Sequence, residues 1–298
     1  MRFLLSCAKR RVPEAFRKSA FRFLSVIPDR QYLSILYRLM TGKKLDLENP
    51  RTYNEKIQWL KLYDRRPEYT MMADKYEVRN FIKAKIGEGY LIPMIGLYNT
   101  VDEIDFEELP DKFVIKCTHD SGSVVVCTDK SKLEIDSVKR HLQKYLSRNY
   151  FLVGREWVYK NISPRIICEE YLVDDSGKEL KDYKVFCFDG EPKVIQVDFD
   201  RFVDHKRNIY DTKWNLLDVE IHFPKNSGKV IPRPSQLEEM LEVAHKLSEN
   251  IPHLRVDMYL SRGKIYFGEL TFTHGSGFET FRPQSFDNLL GSWIKLPI

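Results

Sequence analysis

The chain has 298 residues, 43% of them hydrophobic, which is enough to bury a large core and to form two or three subdomains. No run of about 18 apolar residues occurs, so the sequence excludes a hydrophobic membrane-spanning helix. The five cysteines form no Cys-x-x-Cys pair, and three lie in apolar, strand-like runs. We therefore expect buried thiols in a reducing compartment, and neither a disulfide framework nor a zinc site.

The positive charge is concentrated at the N-terminus. Residues 1–45 carry a net charge of +9, whereas the other 253 residues carry −4. The first residues do not form a good signal peptide, because their apolar core is short and the charges follow it. At 14–27, phenylalanines are mixed with basic residues, and two interpretations stay open: the segment lies on an anionic membrane surface, or it is a helix packed on the body. Nucleic acid is not an expected partner, because aromatic platforms on strands are missing there.

Hydrophobic periodicity and turn residues predict both helices and strands. Helices are expected at about 29–40, 52–63, 74–86, 136–147 and 235–249. Strands are expected at about 90–96, 112–118, 123–128, 165–173, 181–188 and 192–199, the last two joined in a hairpin about Asp189 and Gly190. Helices come first and antiparallel strands with helices come last, which is typical of an α+β fold.

A final hairpin is expected at 254–271, where two apolar-rich runs flank the turn Ser261-Arg262-Gly263. Because side chains alternate along a strand, Asp257 and Tyr259 share one face of its first strand. By the same rule one face of its second strand carries Ile265, Phe267, Glu269 and Thr271.

A loop of three residues in this hairpin places Asp257 opposite Glu269. Facing carboxylates repel unless a cation lies between them, and Mg²⁺ prefers such oxygen ligands together with phosphate oxygens. Arg255 lies on the same face as Asp257, where it can contact an anion near that cation. The alternative is an edge hairpin with solvated charges.

Other polar side chains lie on strands where a core would have apolar ones. Lys116 precedes the Ser-Gly-Ser turn 121–123, Lys184 lies in the hairpin about Gly190, and Glu169 and Glu170 end an apolar strand. Lysines beside such a turn suit a polyphosphate, although each lysine alone is more often a solvated or salt-bridged strand residue. Walker, Gly-x-Ser-x-Gly and protein-kinase motifs do not occur.

From about residue 40 to the end, the sequence resembles the TupA-like ATP-grasp proteins of bacterial surface-polysaccharide gene clusters. Six ordered motifs carry the resemblance: Asn54-Glu-Lys-Ile-Gln-Trp-Leu-Lys61, Asp74-Lys-Tyr-x-Val-Arg79, Phe113-Val-Ile-Lys-Cys117, Asp182-Tyr-Lys-Val-Phe-Cys-Phe-Asp-Gly190, Arg255-Val-Asp-Met-Tyr259 and Phe267-Gly-Glu-Leu-Thr271. The resemblance implies an ATP-grasp-like fold, in which two α+β subdomains hold ATP between antiparallel sheets. The expected divisions are a basic helical extension (1–45), an N-terminal helical and αβ region (46–111), a small subdomain (112–172) and a large subdomain with the metal site (173–298).

The resemblance also implies roles for particular residues. The nucleotide-contacting and catalytic lysine is Lys116, with Lys184 as a second lysine, and the arginine near the transferred phosphoryl group is Arg255. The mobile phosphate loop is Ser121, Gly122 and Ser123, and the backbone that meets adenine is Glu169, Glu170, Tyr171 and Leu172. The metal ligands are Asp257 and Glu269, with Thr271 as a third ligand where the family pattern has asparagine.

The resemblance also implies an amine substrate, and the sequence offers only weaker candidates for a base that would remove its proton. His119 and His274 titrate in a useful range, but hydrogen-bonded loop histidines are the commoner case. Arg201, Arg207 and Arg282 are candidates for binding a sugar carboxylate or phosphate, with surface ion pairs as the alternative.

The function predicted from this resemblance is an ATP- and Mg²⁺-dependent carboxylate–amine ligase that acts through an acyl-phosphate. It would join an amine or amino acid to a sugar acid of a nucleotide- or lipid-linked glycan, in the cytoplasm or at the inner face of the cell membrane. Three alternatives stay open: a glycosyltransferase that uses a nucleotide-sugar, an ATP-dependent sugar kinase, and a membrane-associated scaffold built on residues 1–45.

Overall fold

The computed structural model describes residues 26–174, 180–199, 206–226, 228 and 231–297. The helices are α1 (Asp29–Thr41), α2 (Tyr53–Tyr63), α3 (Glu68–Ala73), α4 (Val78–Lys85), α5 (Ile135–Leu146), α6 (Phe151–Gly154), α7 (Leu237–Ser248) and α8 (Gln284–Trp293). The strands are β1 (Met94–Tyr98), β2 (Phe113–Cys117), β3 (Val125–Cys127), β4 (Ile166–Glu170), β5 (Asp182–Phe188), β6 (Glu191–Phe199), β7 (Lys206–Asp211), β8 (Glu220–Ile221), β9 (Leu254–Ser261), β10 (Lys264–Thr271) and β11 (Phe281–Arg282).

The strands form two main antiparallel sheets. The small sheet has the order β1-β4-β2-β3, and the large sheet has the order β10-β9-β5-β6-β7. Strands β8 and β11 pair with each other in a separate ribbon. The α+β fold with antiparallel sheets is thus confirmed.

Local sequence signals explain several element ends. Thr52 accepts a hydrogen bond from the backbone of Glu55, whose side chain returns one to the backbone of Thr52, so the expected capping box starts α2. Gly42 ends α1 in a left-handed conformation (φ 73°). Asp189 and Gly190 both have positive φ, which matches the tight turn expected between β5 and β6.

Each sheet has an apolar face covered by helices. Val138 and Leu142 of α5 pack on Phe113, Ile115 and Cys117 of the small sheet. Helices α3, α4 and α7 pack on the apolar face of the large sheet. The opposite face of the large sheet carries polar side chains together with Phe186 and Phe188, which pack on α2 and α8.

Strand pairing and helix packing both cross the expected boundaries between divisions of the chain. Strand β1, from the 46–111 region, is an edge of the small sheet. Helix α2, from the same region, packs with α8 and with Phe186 and Phe188 of the large sheet. Tyr32, Leu33 and Tyr37 of α1 are buried with Phe278, so at least this part of the basic extension is packed on the body.

The β9–β10 hairpin differs from the expected one in its turn. Ser261 pairs with Lys264, so the loop has two residues, Arg262 and Gly263, both with positive φ. A β-bulge at Gly268 then adds one residue to β10, and Asp257 lies opposite Glu269 as expected. The expected pairing is correct although the expected loop length is wrong.

The bulge also shifts the alternation of side chains along β10, so residues after it point to the opposite face from the one that regular alternation would give. Ile265 and Phe267 before it, and Leu270 after it, belong to the core cluster to which α3, α4 and α7 contribute, whereas Glu269 and Thr271 lie on the polar face. The expectation that Ile265, Phe267, Glu269 and Thr271 share one face is therefore wrong, because the extra residue shifts the alternation by one.

Some elements were not expected. Strand β7 and helix α8 were missed. Helix α4 begins only at Val78, because the side chain of Asp74 accepts hydrogen bonds from the backbone of Tyr76 and Glu77 and forms a turn there.

The expected free, buried thiols are confirmed for Cys117, Cys127, Cys168 and Cys187, while Cys7 lies outside the described residues. In the described part of the chain, no helix has the length and apolarity that a membrane crossing needs.

Candidate functional site

The polar face of the large sheet carries a row of charged side chains on three neighbouring strands. Glu269 of β10 lies opposite Asp257 of β9, which lies opposite Lys184 of β5. Lys184 donates from Nζ to Asp257 Oδ2 at 2.7 Å and also to Asp182. The register of the strands therefore sets the alternation of charge, and the residues of this row that lie on β9 and β5 are buried.

Arg255 joins this row from two residues earlier on β9. Its guanidinium donates to both oxygens of Asp257, each at 2.6 Å, and lies 3.3 Å from Glu269 Oε1. Thr271 Oγ1 accepts a hydrogen bond from Arg255 Nη2 at 3.0 Å and donates one to Glu269 Oε1 at 3.3 Å. The three residues expected to bind a metal thus surround one guanidinium.

The small sheet contributes a second group of charges. Lys116 Nζ lies 2.6 Å from Glu169 Oε2, and Arg79 donates to Glu169 Oε1 at 3.3 Å. The side chain of Glu169 is thus held by two cations, and the residue is paired with Met94 of β1 and Val114 of β2. Glu170 is exposed at the end of β4, and the half-buried Tyr171 and Leu172 continue from it toward the large sheet.

The two groups meet at Glu269. Burial in the cleft raises the pKa of this carboxyl, but nearby cations outweigh burial and lower the pKa to about 2. In decreasing order of effect, these cations are Lys75, Arg255, Lys184 and Lys116. Glu269 nevertheless keeps 41% of its side chain exposed, so a ligand can reach it.

Lys75 was not among the expected site residues. Its backbone N–H donates to the Thr118 carbonyl at 3.1 Å and its Nζ donates to the Asp120 carbonyl, so it is fixed beside the loop that follows β2. The motif that contains it was recognised in the sequence, but its contacts with the loop span more than 40 residues and cannot be inferred from spacing.

In the Ser-Gly-Ser loop, one residue is buried and holds the loop in place, and the other two are exposed. Ser123 is buried, accepts from the Cys117 backbone at 2.9 Å and donates to Asp120 at 2.6 Å, so its hydroxyl holds the loop against β2. Ser121 and Gly122 are exposed, and Gly122 has a φ of 108°, which side-chain-bearing residues rarely adopt. We therefore retain Ser121 and Gly122 as candidates for ligand contact through their backbone.

The pKa values of both candidate histidines are lowered. Burial lowers the pKa of His119, whose Nε2 lies 3.1 Å from the Arg148 carbonyl. Burial and the charge of Arg255 place the pKa of His274 well below its usual value. Arg255 Nη1 donates to His274 Nδ1, so the proton of the neutral ring is on Nε2. The role of either ring as a base for the amine stays a prediction.

A segment between α6 and β4 lines the same cleft. Tyr150 and Tyr159 contact each other edge to face at 5.0 Å, and burial raises the pKa of both phenols, with further contributions from the charges of Glu156 and Glu269. Glu156 accepts a hydrogen bond from Thr273. No pattern in the sequence distinguished these residues from ordinary core positions.

Lys61 is buried beneath the turn that follows β10. Its Nζ donates to the Ser276 carbonyl at 2.6 Å, to the Gly154 carbonyl at 2.9 Å and to Gln58 Oε1 at 3.1 Å. Burial lowers its pKa to about 7, although Glu156 acts in the opposite direction. The lysine ties helix α2 to the turn at His274–Gly277.

The candidate acceptor arginines have different surroundings. Arg207 is buried and donates to Asp198 at 2.7 Å and to the Ile221 carbonyl at 2.9 Å, so its guanidinium is held by the protein itself. Arg282 is exposed and lies 3.7 Å from Glu220. Arg201 lies outside the described residues.

The donor atoms of the site allow two kinds of ligand. Within the described ranges, no group of three or more His, Cys, Asp or Glu residues is placed to hold a metal ion. The two carboxylates and the hydroxyl of Asp257, Glu269 and Thr271 form an oxygen-only set, which fits Mg²⁺ when phosphate oxygens complete its coordination. Four converging cations fit a polyphosphate.

The fold and the site define an α+β protein whose two antiparallel sheets bring lysines and carboxylates together in one cleft. The profile of the family described as TupA-like ATP-grasp matches residues 55–295, and the chain belongs to this family. No curated protein matches the chain.

Three solved structures are similar to the chain at low sequence identity. D-alanine–D-alanine ligase from Helicobacter pylori is 17% identical over 82% of this chain and 69% of that chain, with a TM-score of 0.42. The corresponding ligase from Bacillus anthracis is 17% identical over 68% and 57% of the two chains, with a TM-score of 0.39. N5-carboxyaminoimidazole synthase from Aspergillus clavatus is 14% identical over 76% and 52%, with a TM-score of 0.41. The match thus spans less than two thirds of the last two proteins.

Proposed function

We propose that this protein is an ATP- and Mg²⁺-dependent carboxylate–amine ligase. The observation that carries the proposal is the convergence of four cationic side chains on Glu269 from two sides of one cleft. Lys75 and Lys116 lie beside the loop after β2, and Lys184 and Arg255 lie on the large sheet. So many cations around an accessible carboxylate suit a polyphosphate that carries a divalent ion.

The residues of the large sheet would hold the metal. Asp257, Glu269 and Thr271 supply its oxygen ligands, and bound Mg²⁺ would neutralise charge on the phosphate oxygens. The lysines would bind the same phosphates, while the backbone after β4, at Glu170, Tyr171 and Leu172, would contact adenine. Adenine contact is the part of the proposal that rests on the family motif alone.

Arg255 would stabilise the charge that develops during phosphoryl transfer. Its guanidinium is rigidly placed, because Asp257 holds it in a bidentate pair and His274 accepts from its other edge. A carboxylate substrate is already ionised at pH 7 and attacks the γ-phosphorus without a base, so the bond to the bridging oxygen breaks and ADP leaves. The amine loses a proton to solvent and attacks the acyl carbon, the bond from carbon to phosphate breaks, and phosphate and a second proton leave.

We further propose that the acid is a sugar acid of a bacterial surface polysaccharide and that residues 1–45 bring the enzyme to the inner face of the membrane. The gene clusters typical of the family support the first point, and the net charge of +9 supports the second. Because α1 is packed on the body, membrane contact would involve residues ahead of it. Lys9, Arg10 and Arg11 are the substitutions to make in a liposome-binding assay.

The proposal is tested by a screen for ADP release across uronic acids combined with amines. We expect ADP only when both substrates are present. ADP release that needs a sugar but no amine would indicate a sugar kinase. Protection from thermal unfolding by a UDP- or GDP-sugar, with none by ATP and Mg²⁺, would indicate a glycosyltransferase and overturn the proposal.

A further inference from the structure

A second charged group lies beside the phosphate cleft and has no role in the proposed chemistry so far. Glu279 follows the turn after β10, and its side chain is only 12% exposed. His222 Nδ1 lies 3.4 Å from Glu279 Oε2, and His274 Nε2 lies 3.7 Å from Glu279 Oε1. In the described chain, no lysine or arginine lies within ion-pair distance of this carboxylate.

Glu279 is thus a largely buried carboxylate whose nearest partners are imidazoles. One of these, His274, is neutral because burial and Arg255 lower its pKa. Burying a carboxylate without a counter-charge is costly, so most such groups are paired with a cation. Among the residues that the structure describes, His274 Nε2 is also a buried polar atom without a hydrogen-bond partner.

The position of Glu279 is built into the backbone. A Cβ atom on Gly275 would lie 2.2 Å from Glu279 Cγ, so only glycine leaves room for the carboxylate over this turn. Asn54 donates to the Glu279 carbonyl at 2.8 Å, and the pairing of β8 with β11 places His222 on the opposite side. These contacts hold the carboxylate in place.

His274 connects this carboxylate to the phosphate cleft. Its Nδ1 accepts from Arg255 and its Nε2 lies 3.7 Å from Glu279 Oε1, so a single imidazole separates the two groups. A positively charged group bound to Glu279 would therefore lie one side chain away from the arginine assigned to the phosphoryl group. An amine substrate is protonated at neutral pH and is such a group.

We propose that Glu279 binds the ammonium group of the second substrate, a primary amine, with His274 as a positioning residue. The identification of the ligand as the second substrate rests on the proposed function. Binding of an ammonium group at Glu279 can be measured independently of that function. The ligand class is a primary ammonium compound, because an ammonium group supplies both a positive charge and the N–H donors that a carboxylate accepts.

The test is a titration of the full chain with methylammonium chloride, followed by NMR of ring-labelled histidines and without nucleotide, metal or acid. We expect a saturable shift of the His274 and His222 signals. Tetramethylammonium, which carries the same charge but no N–H group, should give no saturable shift. The Glu279→Gln variant should bind methylammonium about tenfold more weakly or not at all.

Glu220→Gln is the matched control, since Glu220 is a nearby carboxylate that has an arginine neighbour, Arg282 at 3.7 Å. Its affinity for methylammonium should remain within twofold of wild type. Equal binding of tetramethylammonium, no saturable shift in wild type, or unchanged affinity in Glu279→Gln would each overturn the inference. Because the titration contains no ATP, a failure of the ligase proposal is detected separately by the ADP screen.

Discussion

Glu269 lies opposite Asp257 because a bulge at Gly268 adds one residue to β10 beyond a two-residue turn. The bulge also turns Glu269 and Thr271 toward the charged face while Leu270 remains in the core. A regular hairpin with the same turn would place Gly268 opposite Asp257, and the two carboxylates would no longer face each other. The proposed metal-binding set thus depends on one irregularity of the backbone.

Substitution of Gly268 is therefore expected to disturb both stability and the site. A Cβ atom there would lie 3.0 Å from the Asp257 carbonyl and 3.0 Å from the ring of Tyr259. We expect Gly268→Ala to cost about 1–3 kcal/mol of unfolding free energy in urea titrations. Gly89→Ala, where a Cβ meets nothing within 4 Å, is the control and should cost less than Gly268→Ala. Equal losses in the two variants would contradict the role of the bulge.

Lys75 is expected to contribute to nucleotide binding although no sequence pattern singled it out. Its charge has the largest lowering effect on the pKa of Glu269. Lys75→Met should reduce the thermal protection that ATP with Mg²⁺ gives, with about a tenfold loss of affinity. Lys132→Met removes an exposed lysine and should leave the protection unchanged. Full protection in Lys75→Met would exclude a phosphate contact.

Glu269 should make stability depend on pH in the acid range. Its pKa falls from 4.5 to about 2 on folding, so the unfolded chain binds more protons between these values. The stabilisation is complete above pH 4.5 and is lost as the pH falls toward 2. Glu269→Gln should remove this part of the acid dependence in thermal melts. An unchanged acid profile would show that the cations do not converge on this carboxyl.

Lys61 should make stability depend on pH in the neutral to alkaline range. Its pKa falls from 10.5 to about 7 on folding, so the unfolded chain again binds more protons, and stability rises as the pH increases from 7 toward 10.5. The limiting slope from one proton is about 1.4 kcal/mol per pH unit. Urea titrations of Lys61→Met between pH 7 and 9 should lack this slope, whereas the exposed-site variant Lys83→Met should keep it. A wild-type slope in Lys61→Met would assign the effect to another group.

Part of this architecture could be predicted from sequence because it depends on local signals. The capping box at Thr52, the turn at Asp189 and Gly190, and the pairing of Asp257 with Glu269 follow from residue type and alternation. The pairing was predicted with a three-residue loop, and the shorter turn and the bulge offset each other.

The rest depends on contacts between distant segments. Strand β7 was missed because its polar residues, Arg207 and Asn208, are buried through partners on other segments, Asp198 and Asn226. Lys75 contacts the Asp120 carbonyl and Glu279 contacts His222, partners that lie more than 40 positions away in the chain. The pKa values of His119 and His274 could not be inferred either, since burial determines both.

The most direct test of the account is ATP turnover by Glu269→Gln, which keeps the shape of the side chain and removes its charge. Wild-type protein with Mg²⁺, a uronic acid and an amine should release ADP, and the variant should lose about 100-fold or more in kcat, since one metal ligand and its charge are gone. Glu238→Gln, an exposed carboxylate on α7, is the control and should retain wild-type activity. Normal ADP release by Glu269→Gln would contradict the assignment of this cleft as the Mg²⁺ and ATP site.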